Sequence, residues 1–582
     1  MILRIYNRGM RALVLVGSVV IAACTPGALK PHEGLSGLRA GLTSADLTQR
    51  SQAAWELGQL GMAEHGEGPE PATSISLREV VVQDLIPAVL DSEAPVRRAA
   101  VEALGKTAGL DAEDTLLAAG TDMDAGVRAE TALALFRRRF LKHVPEYSTA
   151  AVNRLLALVV DSEAEVRWRA VYAFTRFPDS RAEKILAAAQ KDVSVSVRLF
   201  AVRALSKLGR SADAALLADL DPYVRAEAVA SFGAAKKAEL LPASVFVDSS
   251  AHVRAAAADA VAATGRAELA GPLEKMADGD GPLPRGRALL ALVKLRGDAE
   301  SPRLERARHE PHWWVRSKAY EASASLKEGP ALLDAGIHDA DARVASQALE
   351  TLAASTSPLA AVAIERVLRD SKSPLELLGT AIDAAGERKS PLFVEALKAA
   401  ANRADLTAEI GESLVKALTA SGLKRKSAGP ALGAPKVFPR LSAAPIVVME
   451  TERGRVELEL DPAAAPNHAA AIAAMVQRGL YDGLIWHRVV TGFVVQGGDP
   501  RGSGWGDAGY RLRDEVNRRP FLRGTLGMPK AGPDTGGCQL FVSLVPTPHL
   551  DGRYTAFGRV ISGMDVLDAL EPGDKILTAR LR

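Results

Sequence analysis

The chain runs to 582 residues, with 72 basic and 70 acidic side chains and a formal net charge of +2. That length excludes one compact core and suggests about four domains of ordinary size, unless repeats extend one of them. So even a charge balance excludes the compositional footprint of a nucleic-acid binder, and 48% apolar with 24% charged residues excludes global disorder.

Arg4, Arg8 and Arg11 precede an uncharged, mostly apolar run from Ala12 to Ala23, which ends in Ile21-Ala22-Ala23-Cys24. The run is too short to cross a bilayer comfortably, but it has the layout of an export signal. The small pair followed by cysteine resembles the bacterial lipobox, which implies lipidation of Cys24 and a mature chain that begins there. A soluble signal peptide that contains Cys24 is the other reading. Under the first, residues 1–23 are a lipoprotein signal peptide and 24–34 a tether, held to the membrane by acyl chains. Thr25 stands where an aspartate would retain a lipoprotein at the inner membrane, so by the same resemblance the outer membrane is expected, in either leaflet. The second cysteine, Cys538, leaves no disulfide framework in the mature chain and reads as a small packing residue.

From 35 to 420 a unit recurs. It reads D-S-E-A-P-V-R-R-A-A-V-E-A-L from Asp91, and returns from Asp122, Asp161, Asp192, Asp219 and Asp248. Arg97, Arg128, Arg167, Arg198, Arg225, Arg254, Arg285 and Arg316 follow one another at intervals of 31, 39, 31, 27, 29, 31 and 31 residues. Within a unit V-R-x-x-A-x-x-A-L places apolar side chains three and four apart, on one helical face. The Asp, Ser or Pro cluster before it supplies a turn and a cap. Two such helices cannot bury their stripes alone, so successive pairs must stack into an all-α solenoid. The pattern resembles short HEAT repeats, about eight to ten of them between Leu35 and Arg388.

The six aspartates each stand six residues before an arginine, and we read them as a structural ladder that caps helices and links neighbouring copies. Gly279 before Arg285, and Ala345 six residues after Asp339, break the register, so gaps are expected there. Trp313 and Trp314 stand beside His309 and His312 at the start of one repeat helix. Adjacent positions point in different directions, which leaves core packing and an exposed ring for a partner both open. The two histidines lack a third ligand of matching spacing and do not read as a metal site.

Residues 421–445, with four prolines and three glycines, read as a flexible linker that lets two modules move separately. Beyond it the hydrophobic period changes from helical to alternating. I-V-V-M-E-T and G-R-V-E-L-E-L-D form a predicted hairpin, Pro466 to Arg478 a predicted helix, and Gly563 to Leu570 a second. Three stretches then carry the chemistry: W-H-R-V-V-T-G-F-V-V-Q-G-G-D from Trp486, M-P-K-A-G-P-D-T-G-G-C-Q-L-F-V from Met528, and L-D-G-R-Y-T-A-F-G from Leu550. They closely resemble the cyclophilin family of peptidyl-prolyl isomerases. The resemblance implies that residues 446–582 form a closed eight-stranded antiparallel β-barrel with two helices.

It also implies that Arg488 is the catalytic arginine and Gln496 the residue that hydrogen-bonds the substrate backbone. Rotation about a peptide bond faces a barrier of about 18–20 kcal/mol. A guanidinium donor aimed at the prolyl nitrogen or the adjoining carbonyl favours the twisted state. No nucleophile, metal or cofactor is needed. Phe493, Val494, Phe541 and Leu550 match the proline pocket, and Gln539 the glutamine of the same groove. His487 matches a structural residue rather than a catalytic one. Five positions depart from the family pattern, one being Lys530 where asparagine is common. Val494 replaces methionine, Pro529 replaces alanine, His549 replaces the bordering aromatic and Tyr554 replaces the pocket histidine. They put peptide preference and cyclosporin binding in doubt.

The reading that follows is an exported lipoprotein of the bacterial cell envelope. Its C-terminal domain isomerises Xaa-Pro bonds of polypeptide clients, and its repeats hold clients or a protein partner on their concave face. A proline-peptide-binding scaffold with little turnover is the alternative. An enzyme of another type built on the repeats, similar to phycobilin lyases, has no added catalytic cluster behind it.

Overall fold

A repeated staple between an arginine and two successive turns organises the helical part of the chain. The computed structural model describes residues 31–63, 77–423 and 435–582. The signal peptide, Cys24 and the middle of the expected linker lie outside them. Among the described residues no helix is long and apolar enough to cross a membrane. The chain divides into two compact units, Met1–Leu216 and Leu217–Arg582.

In the first unit the repeat helices Ala94–Thr107, Ala125–Phe140 and Ala164–Arg176 bury the face that the V-R-x-x-A-x-x-A-L pattern specifies, for example Val96, Ala100 and Leu104, or Val127, Ala134 and Phe136. Arg97 donates through Nη1 to the carbonyls of Asp91 and Ser92 in its own turn. Its Nε and Nη2 grip the Asp122 carboxylate of the following repeat at 2.7 and 2.8 Å. Arg128 with Asp161 and Arg167 with Asp192 repeat the arrangement. Each aspartate also accepts a backbone N–H two residues on, closing the turn before the helix. Burial would raise the Asp122 carboxyl, but the Arg97 hydrogen bond and the Asp124 N–H outweigh it and hold it below the usual range. Deeper inside, Glu130 lies buried between Arg137 and Arg169.

The second unit continues with α1 (Pro222–Ala234), α2 (Ala251–Thr264), α3 (Pro282–Arg296), α4 (Trp313–Ser323), α5 (Ala342–Ala353) and α6 (Leu375–Arg388). The rungs go on through Arg225 with Asp248, Arg254 with Asp280, Arg285 with Glu310 and Arg316 with Asp339. The expected gap at Gly279 is therefore absent, and Asp339 is itself held, but the series stops at Ala345, which stands in the arginine's place. An arginine reaches the acid of the next repeat rather than its own, so Asp280 serves one place after Gly279, and Asp339 needs no arginine six residues later.

An eight-stranded antiparallel sheet follows, made of β1 (Ile446–Thr451), β2 (Gly454–Leu460), β3 (Arg488–Val489), β4 (Val494–Gly497), β5 (Thr525–Gly527), β6 (Leu540–Ser543), β7 (Ala556–Ser562) and β8 (Ile576–Leu581). The helices α7 (Pro466–Gln477) and α8 (Met564–Asp568) pack on it. The strand order β3-β4-β6-β5-β7-β2-β1-β8 starts and stops on different strands, so the expected closed barrel is corrected to an open, strongly curled sheet. At two residues, β3 is too short to form a ladder with β8. The seam carries only an isolated bridge between Ile485 and Lys575 and a few backbone bonds beside it.

Helices and sheet of this unit touch at several points. The Tyr223 hydroxyl donates to Asp568 at 3.0 Å, and the Leu283 N–H to Glu571 at 2.9 Å. Trp313 and His312 lie against Gly573. Trp313 thus serves the chain's own C-terminal domain, with Arg343 stacked 4.4 Å over its ring, whereas Trp314 packs among the helices beside Gly286 and Lys318.

Candidate active site

The tight turn Val490–Phe493 sets the site. Its Gly492 adopts φ 62°, a left-handed conformation that a glycine takes without strain. The turn brings β3 back as β4 with Arg488 opposite Gln496, and β4 pairs with β6 so that Gln496 faces Phe541. One polar row results. Arg488 Nη1 points to Gln496 Oε1 at 3.5 Å, a long contact made by an exposed side chain. Gln496 Nε2 donates to Gln539 Oε1 at 2.9 Å, and Gln539 Nε2 donates to the carbonyls of Gly504 and Gly506 at 2.9 and 3.1 Å.

Beside this row lies an apolar cluster of Val494, Phe521, Phe541, Leu550 and Ala556, with Phe493 and Tyr554 packed against it. Phe541 stacks on Phe521 at 5.6 Å and meets the Tyr554 edge at 6.2 Å. Gly527 has no side chain, which lets the Phe541 ring lie across β5; a Cβ there would overlap the ring. Phe493 stacks on His549 at 5.5 Å, and the Arg488 guanidinium stands 5.8 Å from the Phe493 ring. A donor with permanent positive charge thus borders an aromatic cluster.

The structure brings together Arg488, Gln496, Phe493, Val494, Gln539, Phe541, His549, Leu550 and Tyr554. Pro529 is half-buried at the exit of β5 and is not part of the apolar cluster. Lys530, next to it, pairs with Asp514 and lies 5.4 Å from the Tyr554 ring. Burial raises the Tyr554 phenol. His487 is buried with neither ring nitrogen hydrogen-bonded, and burial lowers it to about 4, so it is a neutral packing group at physiological pH. Cys538 is buried and pushed up to about 12 by desolvation, an inert thiol. Phe521 and Ala556 escaped the sequence reading. Phe521 sits in a stretch of arginines and prolines with no strand pattern, and only its alignment with Phe541 reveals it.

A curled antiparallel sheet thus sets one arginine beside an aromatic cluster. Residues 446–580 match the family described as cyclophilin type peptidyl-prolyl cis-trans isomerase/CLD, and residues 152–233 match HEAT repeats. Over 136 residues, 23% of this chain, the sequence is 43% identical to a peptidyl-prolyl cis-trans isomerase of Synechococcus elongatus and covers 94% of it. It is also 43% identical over 129 residues, 22% of this chain, to peptidyl-prolyl cis-trans isomerase B of Bacillus subtilis, of which it covers 90%. A solved cyclophilin type isomerase of Cryptosporidium parvum shares 28% identity over 24% of this chain and 98% of its own, with a TM-score of 0.23. The chain belongs to the cyclophilin-type peptidyl-prolyl cis-trans isomerases through its C-terminal domain, which a HEAT-repeat region precedes. It is an enzyme of that class.

Proposed function

We propose that this isomerase acts on Xaa-Pro bonds of exported proteins from a lipid anchor in the bacterial envelope, with Arg488 and Gln496 as the catalytic pair. The observation that carries the site assignment is the Arg488 guanidinium beside the Phe493 ring at the edge of the apolar cluster. A proline ring seated against Phe493, Val494, Phe541 and Leu550 sets its nitrogen within reach of that guanidinium, which stabilises the nitrogen as it leaves conjugation. Gln496, braced by Gln539, holds the peptide backbone through its amide. His549 and Tyr554 border the apolar cluster and, with Pro529 at the exit of β5, tune which peptides fit.

Residues 1–23 are read as the signal, 24–34 as the tether, 35–420 as the array, 421–445 as the linker and 446–582 as the isomerase domain. The repeats hold clients or a protein partner, a role supported by the HEAT match. The anchor rests on Ile21-Ala22-Ala23-Cys24 and on Thr25 after it, and the outer membrane is its expected seat.

Two measurements test these assignments. A proline-containing tetrapeptide incubated with the full chain should relax between cis and trans faster than its uncatalysed tens to hundreds of seconds; binding without acceleration would leave only a scaffold. Mass spectrometry of the mature N-terminus should find a diacylglyceryl group on Cys24. An unmodified N-terminus elsewhere would remove the anchor and the envelope location that follows from it.

A further inference from the structure

Two of the contacts between the helices and the sheet reach the segments that flank Arg488 and Gln496. His252, in the first turn of α2, brings Nδ1 to 2.8 Å from the hydroxyl of Thr491, in the turn that joins β3 to β4. On the other side, α6 seats the loop that follows β4. The ring carbons Cε2 and Cζ2 of Trp505 stand 3.3 Å from the place a Cβ on Gly379 would take, and the indole packs on the core of the last helices. Arg501 of the same loop lies 3.2 Å from Glu376, also on α6.

That loop is firm from within. The Asp499 carboxylate is buried and accepts the N–H groups of Arg501 at 2.8 Å and Ser503 at 2.9 Å. Its carbonyls at Gly504 and Gly506 hold Gln539, which holds Gln496, which faces Arg488. The Gly379–Trp505 seat is thus the first member of a continuous series that ends on the guanidinium.

We propose that the helical repeats position the catalytic pair, His252 by holding the β3–β4 turn and Gly379 by seating Trp505. This rests on Arg488 and Gln496 being the reacting groups. The repeats then serve the reaction itself besides any client they carry, and His252, Gly379 and Trp505 are positioning residues. A plain tether would be satisfied by contacts anywhere on the sheet; these fall on both sides of the β3–β4 hairpin. The sequence carries a trace of the same division. The residue before Val-Arg is Pro95, Gly126, Glu165 or Ser196 in the first unit, and Tyr223, His252 or Trp314 in the second. From that position Tyr223 and His252 reach Asp568 and Thr491, whereas Trp314 packs beside Gly286 and Lys318 of the helices.

The test uses the full chain with Gly379→Val, alone and with Trp505→Phe, and Arg488→Ala alongside. Valine on Gly379 drives into the indole, whereas the smaller phenylalanine ring makes room for it. For a proline tetrapeptide, kcat/KM of Gly379→Val is expected to fall about 5-fold, through kcat with KM within about 2-fold, and to recover to within about 2-fold in the double variant. Native kcat/KM in Gly379→Val overturns the proposal. So does a loss that Trp505→Phe fails to recover, because that marks general damage to α6. Activity that survives Arg488→Ala would instead remove the assignment of the reacting pair, an outcome separate from either result at Gly379.

Discussion

Gln539→Leu separates what the polar row gives to stability from what it gives to turnover. Leucine keeps the bulk of the side chain and removes three hydrogen bonds: two donated to the Gly504 and Gly506 carbonyls at 2.9 and 3.1 Å, and one accepted from Gln496 at 2.9 Å. At about 1 kcal/mol net each, and with the half-buried site letting water reach some of the freed groups, the loss of stability is about 2 kcal/mol. Only the bond from Gln496 leads on to Arg488. Its share, about 1 kcal/mol, corresponds to about a 5-fold fall in kcat/KM. Gln539→Glu is the contrasting change. It keeps an acceptor for Gln496 but sets a carboxylate against two carbonyls, so it should cost more stability and less activity than leucine. Thermal unfolding and peptide isomerisation of the full chain read the two effects. Gln539→Leu with kcat/KM within about 1.5-fold of native would refute the bracing of Gln496 through Gln539.

Three further outcomes follow from the same geometry. The pH profile of kcat/KM should be flat between about pH 6 and 9, because a guanidinium does not titrate there and His487 is held near 4 by burial; a sigmoid or bell near neutrality would bring a histidine into the reaction. Glu130→Ala removes the buried carboxylate that Arg137 and Arg169 share in the first unit, although Arg169 keeps Glu165, and should cost about 3 kcal/mol, read by urea denaturation, with less than about 1 kcal/mol contradicting the account. Burial alone would raise the Glu130 carboxyl, but Arg137, Arg169 and Arg98 outweigh it and lower it. Its stabilisation is therefore full above the unfolded value of about 4.3 and is lost as the pH falls through the depressed folded value. Acid unfolding of the first unit should accordingly lose part of its steepness below about pH 4 in Glu130→Gln.

The parts of the fold written in local patterns were legible. The V-R-x-x-A-x-x-A-L stripe specified the buried face of each repeat helix, and W-H-R-V-V-T-G-F-V-V-Q carried the resemblance by which Arg488 and Gln496 were picked out, although not that they stand opposite one another on one hairpin. What depends on residues far apart was not. The partner of Arg97 is Asp122, an acid of the next repeat, so a count within one unit wrongly expected a gap at Gly279 and set the one at Asp339 a rung early, since Arg316 holds Asp339 and the series stops at Ala345. The resemblance to a closed barrel overlooked how short β3 is, and the open order of the strands follows from that. Phe521 and Trp505 were missed because each is defined by a ring or a glycine that lies elsewhere in the chain, Phe541 and Gly379 respectively. Pro529, picked out by its place in a motif, stands apart from the apolar cluster.

The most direct test of the central claim is the isomerisation rate of Arg488→Ala in the full chain, measured with peptide affinity by titration on the same preparation. Loss of a donor aimed at the twisted peptide nitrogen should lower kcat about 100-fold or more while affinity for a proline peptide stays within about 3-fold, since the aromatic pocket is untouched. An Arg488→Ala enzyme that turns over at the native rate would contradict the account.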